Sequence, residues 1–234
     1  MYELSLQAPG RNALGTASMQ RVLDGLRDAA GAPVLVTGGG GAFCAGLNLK
    51  EVVALDGPAM TAFLRLLERC MTALYLYPGP TAAAVDGHAI AGGCVITLCC
   101  DVRVVADDPS LKLGLNEVAL GLRFPPRTLA VCRARLPRAA ETEVLLGAGL
   151  FSPRDALRLG VVDEVAADPL VTARARLEAL ARHPRDGYAQ TKRDLRGTEQ
   201  GLGTDATLDA WLAESVPIWT SPDVRARLAA ALQR

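Results

Sequence analysis

Short apolar runs that alternate with amphipathic helices constrain the fold of this chain more than any other feature. Apolar strands are predicted at 33–37, 81–85 and 102–106, and helices with one apolar face at 16–29 and 58–77. Strands that alternate with helices form βαβ units, in which the strands lie parallel and are covered on both faces. The first part of the chain is therefore predicted to be α/β, with a largely parallel, buried sheet.

The pattern changes near residue 137. Helices are then predicted at 139–147, 153–159, 170–183, 187–196, 205–215 and 222–233, and the run 161–165 is predicted to be extended. The glycines within 197–203 predict a flexible connection between two of these helices. We therefore expect an α/β core that carries a helical C-terminal third.

Charge and aromatic content exclude two classes of partner. The 25 basic residues balance the 25 acidic ones, so no net charge attracts nucleic acid or an anionic membrane. Aromatic residues make up only 4% of the chain, which leaves few platforms on which bases could stack. No apolar run reaches the roughly 18 residues expected of a membrane span. We predict no nucleic-acid partner and no membrane partner.

The cysteine pattern indicates the compartment. The six cysteines form no CxxC pair and the chain has two histidines, so no zinc site is expected. No signal peptide precedes Tyr2, which favours a reducing cytoplasm and buried, unreacted thiols. Arg supplies 22 of the 25 basic residues, a bias that is associated with GC-rich bacterial genomes. We expect a cytoplasmic, bacterial protein.

Two small-residue segments are candidates for binding an anion. Gly92 and Gly93 open an apolar helix, so backbone N–H groups there can meet a ligand oxygen without obstruction by a side chain. Ala45 and Gly46 leave the Leu47 N–H equally accessible, although such a loop by itself could also be a plain turn. Two converging N–H groups would form an oxyanion hole of the kind that stabilises an enolate.

The glycine run at 38–41 follows a predicted strand, as a dinucleotide-binding loop would. It lacks the GxGxxG spacing, and no GK[ST] sequence follows it. This run is therefore predicted to end a strand and to let the next segment fold tightly.

One acid, Glu117, interrupts the apolar stretch 113–122. Burial beside Leu115, Val118, Leu120 and Leu122 would raise its pKa and make it a better proton shuttle near neutral pH. The alternative is a surface Glu at the start of a helix, where the helix dipole favours it. Asp101 and His88 are interpreted as structural, and Asp163 and Glu164 are further acids without a predicted role.

Four segments together resemble one protein family. Residues 42–49 resemble the first oxyanion loop of the crotonase (enoyl-CoA hydratase/isomerase) superfamily, and 87–94 with Cys100-Asp101 resemble the second. Residues 11–14 and 151–163 are similar to its early and late motifs, in the expected order. Within the superfamily the fit is best to the mitochondrial-type Δ3,Δ2-enoyl-CoA isomerases.

This resemblance implies a crotonase-type fold, in which a spiral of ββα units forms two roughly perpendicular sheets with a helical C-terminal part. It implies an α/β core at 1–170 and a helical part at 171–234 that covers the active site and mediates oligomerisation. Relatives form trimers or dimers of trimers, so a homotrimer or a dimer of trimers is expected.

The resemblance also implies roles for individual residues. Glu117 matches the catalytic acid/base, and the Leu47 and Gly92 amides match the oxyanion donors. The substrate-binding positions implied are Ala45, Gly46, Leu47, Asn48, Leu49 and Asn116. Asn48 stands where the family usually has Asp, and this departure leaves the hydrogen bonding of the loop open. Lys50 and Arg11 could contact CoA phosphates or simply face solvent.

Val95 narrows the activity that the resemblance implies. Hydratases of the superfamily carry a Glu at this position, because adding water needs a second carboxylate to position and deprotonate it. One carboxylate suffices for a 1,3-proton shift. The sequence thus predicts an isomerase of fatty acid oxidation that converts a 3-enoyl-CoA into its conjugated 2-trans isomer, without metal or redox cofactor, CoA being part of the substrate.

Two alternatives stay open. The chain could be another acyl-thioester enzyme on the same scaffold, such as an enoyl-CoA hydratase or a biosynthetic decarboxylase. It could also be a catalytically inactive acyl-CoA-binding protein.

Overall fold

The computed structural model describes residues 1–232, and its strands form two parallel sheets. The larger sheet contains β1 (Tyr2–Ser5), β2 (Val34–Thr37), β4 (Thr81–Val85), β6 (Val102–Ala106) and β8 (Glu164–Ala166), in that spatial order. The smaller sheet contains β3 (Ala42–Cys44), β5 (His88–Ile90) and β7 (Leu113–Gly114). Along the chain a strand of the larger sheet is followed three times by a strand of the smaller one, which is the repeated ββ arrangement that we expected.

Twelve α-helices connect and flank the sheets in the described part of the chain, besides two 3-10 turns and one π-helical turn. They are α1 (Pro9–Asn12), α2 (Thr16–Ala29), α3 (Leu49–Val52), α4 (Gly57–Tyr75), α5 (Gly92–Cys99), α6 (Pro126–Arg135), α7 (Pro153–Arg158), α8 (Pro169–Ala181), α9 (Arg185–Arg196), α10 (Glu199–Leu202), α11 (Asp205–Trp219) and α12 (Pro222–Ala231). Side-chain oxygens of Asp56, Ser152, Asp168, Thr204 and Ser221 cap α4, α7, α8, α11 and α12 by accepting a hydrogen bond from an amide of the first turn. These caps fix where the helices begin.

The larger sheet is apolar on both faces, as the strand sequences predict. Val34 and Val36 of β2 point into the main core, while Leu35 between them packs in a second cluster with Leu177 of α8. Helices α2 and α4 pack together, and α8 contacts β4 and β6. Burial on both faces explains why these strands are continuous apolar runs rather than alternating ones.

The smaller sheet corrects the sequence interpretation. The segment 87–94, which resembles the second oxyanion loop, contains strand β5 at His88–Ile90, and the first such loop, 42–49, begins with strand β3. These strands have three residues each and pair with segments far away in the chain, so no local periodicity marks them.

The C-terminal half requires three further corrections. The predicted flexible connection at 197–203 is wrong, because it contains α10, capped by Thr198 and tied down by Arg127, which donates to the Gly203 carbonyl at 2.9 Å. The predicted helix 139–147 is a 3-10 turn followed by a π-helical turn at Thr142–Leu146. Helix α6 was not predicted at all.

Two predicted segments extend beyond residues 1–232, which the structure describes. Gln233, the predicted last residue of the C-terminal helix, lies outside the described residues, as do the last two positions of the predicted 171–234 part. The division between 1–170 and 171–234 stays a prediction. Among the helices of residues 1–232, none is long and apolar enough to cross a membrane.

Candidate active site

The predicted site residues follow the carboxyl ends of the three strands of the smaller sheet. Cys44 of β3 lies beside Ala89 of β5, and Ile90 of β5 lies beside Gly114 of β7. Leu47, Gly92 and Glu117 come two or three residues after these paired positions. Because parallel strands end at the same edge of a sheet, all three segments emerge together, at the edge where α/β proteins bind ligands.

The turn before Leu47 directs the Leu47 amide away from the segment that contains Leu14. Gly46 has a φ of 93°, which favours glycine. Leu14 donates to the Gly46 carbonyl at 2.7 Å and accepts from the Asn48 amide at 2.9 Å. In this parallel bridge the flanking peptide groups bond Leu14, so the N–H of Leu47 itself points to the opposite side.

The start of α5 packs tightly against this turn. A Cβ on Gly46 would lie 3.6 Å from the Gly92 nitrogen, and one on Gly92 would lie 3.8 Å from the Gly46 Cα. A Cβ on Gly93 would lie 2.1 Å from the Cys44 carbonyl oxygen, which no side chain permits. The glycine pair is therefore needed for the close approach of α5 to the Leu47 loop, as well as for ligand access.

The Leu47 and Gly92 amides both lack a hydrogen-bond acceptor within residues 1–232. The first amides of a helix have no partner inside the helix, so the Gly92 N–H is available to a ligand. Ala91, just before it, has a φ of 49°, an uncommon backbone conformation for a non-glycine residue that is often found at functional sites. Two free, neighbouring N–H groups are the arrangement that an oxyanion hole requires.

Glu117 is half-buried, and one of its two carboxylate oxygens is fully withdrawn from solvent. Its Oε2 atom is inaccessible to solvent and, among the side chains of residues 1–232, is the one buried carboxylate oxygen without a hydrogen-bond partner. Burial raises the pKa of Glu117 to about 7. Of its apolar sequence neighbours, Leu115 and Leu122 are buried and Leu120 is partly buried, whereas Val118 is exposed, contrary to expectation. Glu117 does precede a short helix, the 3-10 turn at Val118–Leu120, as the alternative interpretation requires, but its buried Oε2 atom does not fit a freely solvated surface acid.

The Glu117 carboxyl group faces α5 and α6. Its charge contributes to the raised pKa of the Cys94 thiol of α5 and of the Cys132 thiol of α6, both of which are raised chiefly by burial. Asn116, its neighbour, has a buried Oδ1 atom that likewise lacks a partner within the described chain. Two unsatisfied acceptors side by side make this segment a candidate ligand site, because buried polar atoms are normally hydrogen-bonded.

The departure at Asn48 has a structural explanation. Its side-chain oxygen accepts a hydrogen bond from the Glu51 amide at 3.4 Å and so caps α3, which begins at Leu49. Asp and Asn are equally good caps, so the loop keeps its hydrogen bond with either residue. Lys50 and Arg11 are both exposed.

The other candidate acids are occupied. Asp101 accepts from the Thr81 amide at 2.8 Å and pairs with Lys192 and Arg196, which confirms the structural interpretation. Asp163 pairs with Arg103, and Glu164 pairs with Arg176 at 2.7 Å. The His88 Nδ1 atom accepts from the Lys112 amide at 3.0 Å. All six cysteines, which lie within the described residues, are buried and unbridged.

A large apolar cavity adjoins the Glu117 segment and was missed by the sequence interpretation. It has a volume of about 820 Å³, and part of the segment 118–126, which follows Glu117, lines it. Glu117, Leu47 and Gly92 do not line it. Its apolar lining includes Val118, Leu122, Phe124, Pro126, Leu129, Leu145, Leu146, Ala210 and Trp211. The signal in the sequence is the spacing of Thr207, Ala210, Trp211 and Glu214, which places them on one face of α11.

No metal centre competes with this site in the part of the chain that the structure describes. Within residues 1–232 no group of three His, Cys, Asp or Glu side chains is placed to hold a metal ion.

Comparisons with known proteins agree with this geometry. The "Enoyl-CoA hydratase/isomerase" family model matches residues 1–216. Mouse mitochondrial enoyl-CoA delta isomerase 1 is 37% identical over 137 residues, which are 58% of this chain and 47% of the mouse protein. The bovine mitochondrial enoyl-CoA hydratase domain-containing protein 2 is 33% identical over 176 residues, or 70% of this chain and 57% of that protein. The matches thus cover about half the length of these two relatives.

The same relationship is visible in solved structures. Human mitochondrial Δ3,Δ2-enoyl-CoA isomerase has a TM-score of 0.88 at 26% identity, over 97% of this chain and 90% of that one. An enoyl-CoA hydratase/isomerase family protein from Pseudomonas syringae has a TM-score of 0.83 at 26% identity, over 91% of this chain and 93% of that one. The fold is therefore of the crotonase type, and this chain belongs to the enoyl-CoA hydratase/isomerase family, with similarity to its Δ3,Δ2-isomerases.

Proposed function

We propose that this protein moves the double bond of a 3-enoyl-CoA to the conjugated 2-trans position. The observation that carries the proposal is the buried, unpartnered Oε2 atom of Glu117, whose carboxyl pKa is raised to about 7 by burial. A second observation supports it: the apolar Val95 occupies the position at which hydratases of the family carry Glu. Fatty acid oxidation is the setting that such a reaction suits.

The proposed reaction consists of two proton transfers. The thioester oxygen accepts hydrogen bonds from the Leu47 and Gly92 amides, and Glu117 removes a proton from C2. The resulting dienolate carries its charge on the oxygen that the two amides hold, where one donor is worth roughly 3 kcal/mol. The protonated Glu117 then returns the proton at C4, so that the C3–C4 double bond becomes a C2–C3 double bond.

A pKa near neutrality suits both halves of this cycle. The carboxylate must accept a proton in the first step and release it in the second, and a group with a pKa close to the working pH does both effectively. Ala45, Gly46, Leu49 and Asn116 are proposed to line the acyl-CoA, and Asn48 to hold the loop through its helix cap. We expect no metal or redox cofactor to take part.

Val95 argues against efficient hydration. It is 1% exposed and contributes only aliphatic carbon atoms to α5, so it can neither orient nor deprotonate a water molecule. The second candidate is nevertheless a hydratase, which the 33% identity to the bovine hydratase domain-containing protein favours. A decarboxylase and an inactive acyl-CoA-binding protein remain the further alternatives from the sequence.

The proposal extends to the acyl chain and the assembly. The 820 Å³ cavity begins at Val118 and Leu122, next to Glu117, and its apolar lining suits the tail of the acyl group.

A homotrimer or a dimer of trimers is proposed for the assembly. Light scattering on the purified protein would test this assembly.

The decisive experiment compares two reactions of one preparation. The purified protein is given 3-hexenoyl-CoA and crotonyl-CoA, and the ultraviolet absorbance of the conjugated thioester is followed in each case. We expect isomerisation to be faster than hydration, because one carboxylate serves the first reaction and two are needed for the second. Faster hydration would contradict the isomerase assignment, and binding without either reaction would support the inactive alternative.

A further inference from the structure

Helix α12 contacts the segments that follow the two halves of the candidate site. It packs against α3, which begins two residues after Leu47, and against the 3-10 turn at Val118–Leu120, which begins directly after Glu117. Val224 and Leu228 of α12 are buried in the main core at 1% and 0% exposure and anchor the helix. One element therefore touches the segments that follow both the oxyanion loop and the acid.

Two arginines of α12 bond the main chain of these two segments. Arg225 donates from its NH2 atom to the Leu55 carbonyl at 2.6 Å, in the segment just after α3. Arg227 donates from Nε to the Leu120 carbonyl at 3.0 Å, and a Cβ on Gly121 would lie 2.6 Å from its NH2 atom. The guanidinium of Arg227 thus covers the outer side of the turn that follows Glu117.

The same turn is closed on its inner side by Glu117. The Glu117 carbonyl accepts hydrogen bonds from the amides of Leu120 and Leu122, both at 3.0 Å. Leu120 therefore bonds Glu117 through its amide and Arg227 through its carbonyl. Leu120 is thus the one residue that links Arg227 to the backbone of Glu117 by hydrogen bonds.

We propose that α12 acts as a clamp, in which Arg227 is a positioning residue that holds the Glu117 turn closed over its carboxylate and Arg225 fixes the opposite side. Arg227 is exposed, and its guanidinium N–H donates to the Leu120 carbonyl. A lysine at this position could reproduce that hydrogen bond only in part, because its ammonium group lacks the planar fork of donors. The catalytic consequence rests on the proposed isomerase function, whereas the clamp itself does not.

If Arg227 acts as a clamp, its removal should change the pKa of Glu117 in a direction that a merely structural arginine would not produce. Opening the turn would admit water to the Glu117 carboxylate, and hydration stabilises the charged form, so the pKa of Glu117 would fall. Simple loss of a nearby positive charge would have the opposite sign and raise that pKa. The titratable side chains that interact with Glu117 are the Cys94 and Cys132 thiols, on α5 and α6, and neither belongs to α12.

The test measures this pKa directly. Protein labelled with ¹³C in its glutamate carboxyl groups is titrated by NMR, and the Glu117 signal is assigned by its absence in Glu117→Gln. We expect Arg227→Gln to lower the Glu117 pKa by roughly one pH unit or more, and Arg227→Lys to lower it by less. Arg185→Gln is the matched control, because Arg185 also donates to a main-chain carbonyl, that of Ala30, on a different part of the surface.

Each outcome decides the proposal. An unchanged or raised pKa in Arg227→Gln would overturn the clamp, whatever reaction the protein catalyses. With an active wild type, kcat of Arg227→Gln should also fall about tenfold while KM changes less than twofold, as for a misplaced catalytic group. A lowered pKa together with an inactive wild type would support the clamp and refute the proposed function.

Discussion

Two acids near opposite ends of α5 have opposite surroundings. Glu117 interacts with Cys94 in the first turn of α5, and its Oε2 atom has no partner in the described chain. At the C-terminal end of α5, Asp101 accepts from Thr81 at 2.8 Å, from Lys192 at 2.7 Å and from Arg196 at 2.5 Å. Both carboxyl groups are largely withdrawn from water, and the difference between them lies in their partners.

The partners decide what each acid can do. Burial by itself would raise the pKa of Asp101, but Lys192 and Arg196 outweigh it and hold that pKa below its ordinary value. Burial without such partners raises the pKa of Glu117 to about 7. A paired acid keeps its charge and stabilises the fold, whereas an unpaired one can exchange protons near neutral pH.

The largest effect should come from removing the proton-accepting group at the unpaired end. Glu117→Gln keeps the size of the side chain but should lower kcat by about 10²–10⁴-fold, because a positioned general base is lost. The dissociation constant for acyl-CoA should hardly change. Glu164→Gln, which removes a surface acid paired with Arg176, is the control and should retain full turnover. More than about a tenth of wild-type kcat in Glu117→Gln would mean that another group transfers the proton.

The paired end should respond in stability rather than in rate. Asp101→Asn leaves Lys192 and Arg196 buried without their counter-charge, which typically costs about 3–5 kcal/mol of unfolding free energy. Urea denaturation of the variant would measure this loss. Asp209→Asn removes an exposed pair with Arg65 and should cost less than about 1 kcal/mol. Equal losses of unfolding free energy in the two variants would show that the buried ion pairs contribute no more to stability than the exposed one.

A third effect tests the same contrast through pH. The pKa of Glu117 is raised from 4.5 to about 7 in the folded state, so wild-type stability should fall as pH rises between these values and then level off. Glu117→Gln lacks this penalty. The unfolding free energy of the variant should therefore gain roughly 2–3 kcal/mol on the wild type between pH 5 and pH 8. A difference that does not vary with pH would place the pKa of Glu117 near its ordinary value.

The smallest effect concerns the cap of the oxyanion loop. Asn48→Ala should lower the unfolding free energy by about 1 kcal/mol, because the Glu51 amide loses its acceptor. Asn48→Asp should keep both stability and turnover. Thermal unfolding of the two variants measures the contribution of the cap, and turnover assays show whether Asn48 also has a direct role in catalysis. A large loss of rate in Asn48→Asp would indicate such a role.

The sequence predicted the elements whose signal is local. Helix α2 and strands β4 and β6 have the predicted bounds, because an apolar stripe or an apolar run marks each of them within a few residues. Helix α6 could not be found in this way. Its first amides, those of Arg127 and Thr128, are capped by the Glu68 carboxylate of α4, 59 and 60 positions away.

The candidate site shows the same limit. Leu47, Gly92 and Glu117 could be chosen from the sequence because small residues and a lone acid in an apolar run are local features. Their convergence depends on the register of β3, β5 and β7, which only the structure gives. The contact between Arg227 and Leu120 joins residues 107 positions apart and has no sequence signal.

The central claim is that Glu117 is a buried proton shuttle with a pKa of about 7. The most direct test is the pH dependence of kcat/KM for 3-hexenoyl-CoA in the wild type, beside the residual activity of Glu117→Gln. We predict that wild-type kcat/KM rises with pH to a midpoint near 7, and that this rise is absent in Glu117→Gln. A midpoint near the ordinary glutamate value of 4.5, or the same profile in both proteins, would contradict the account.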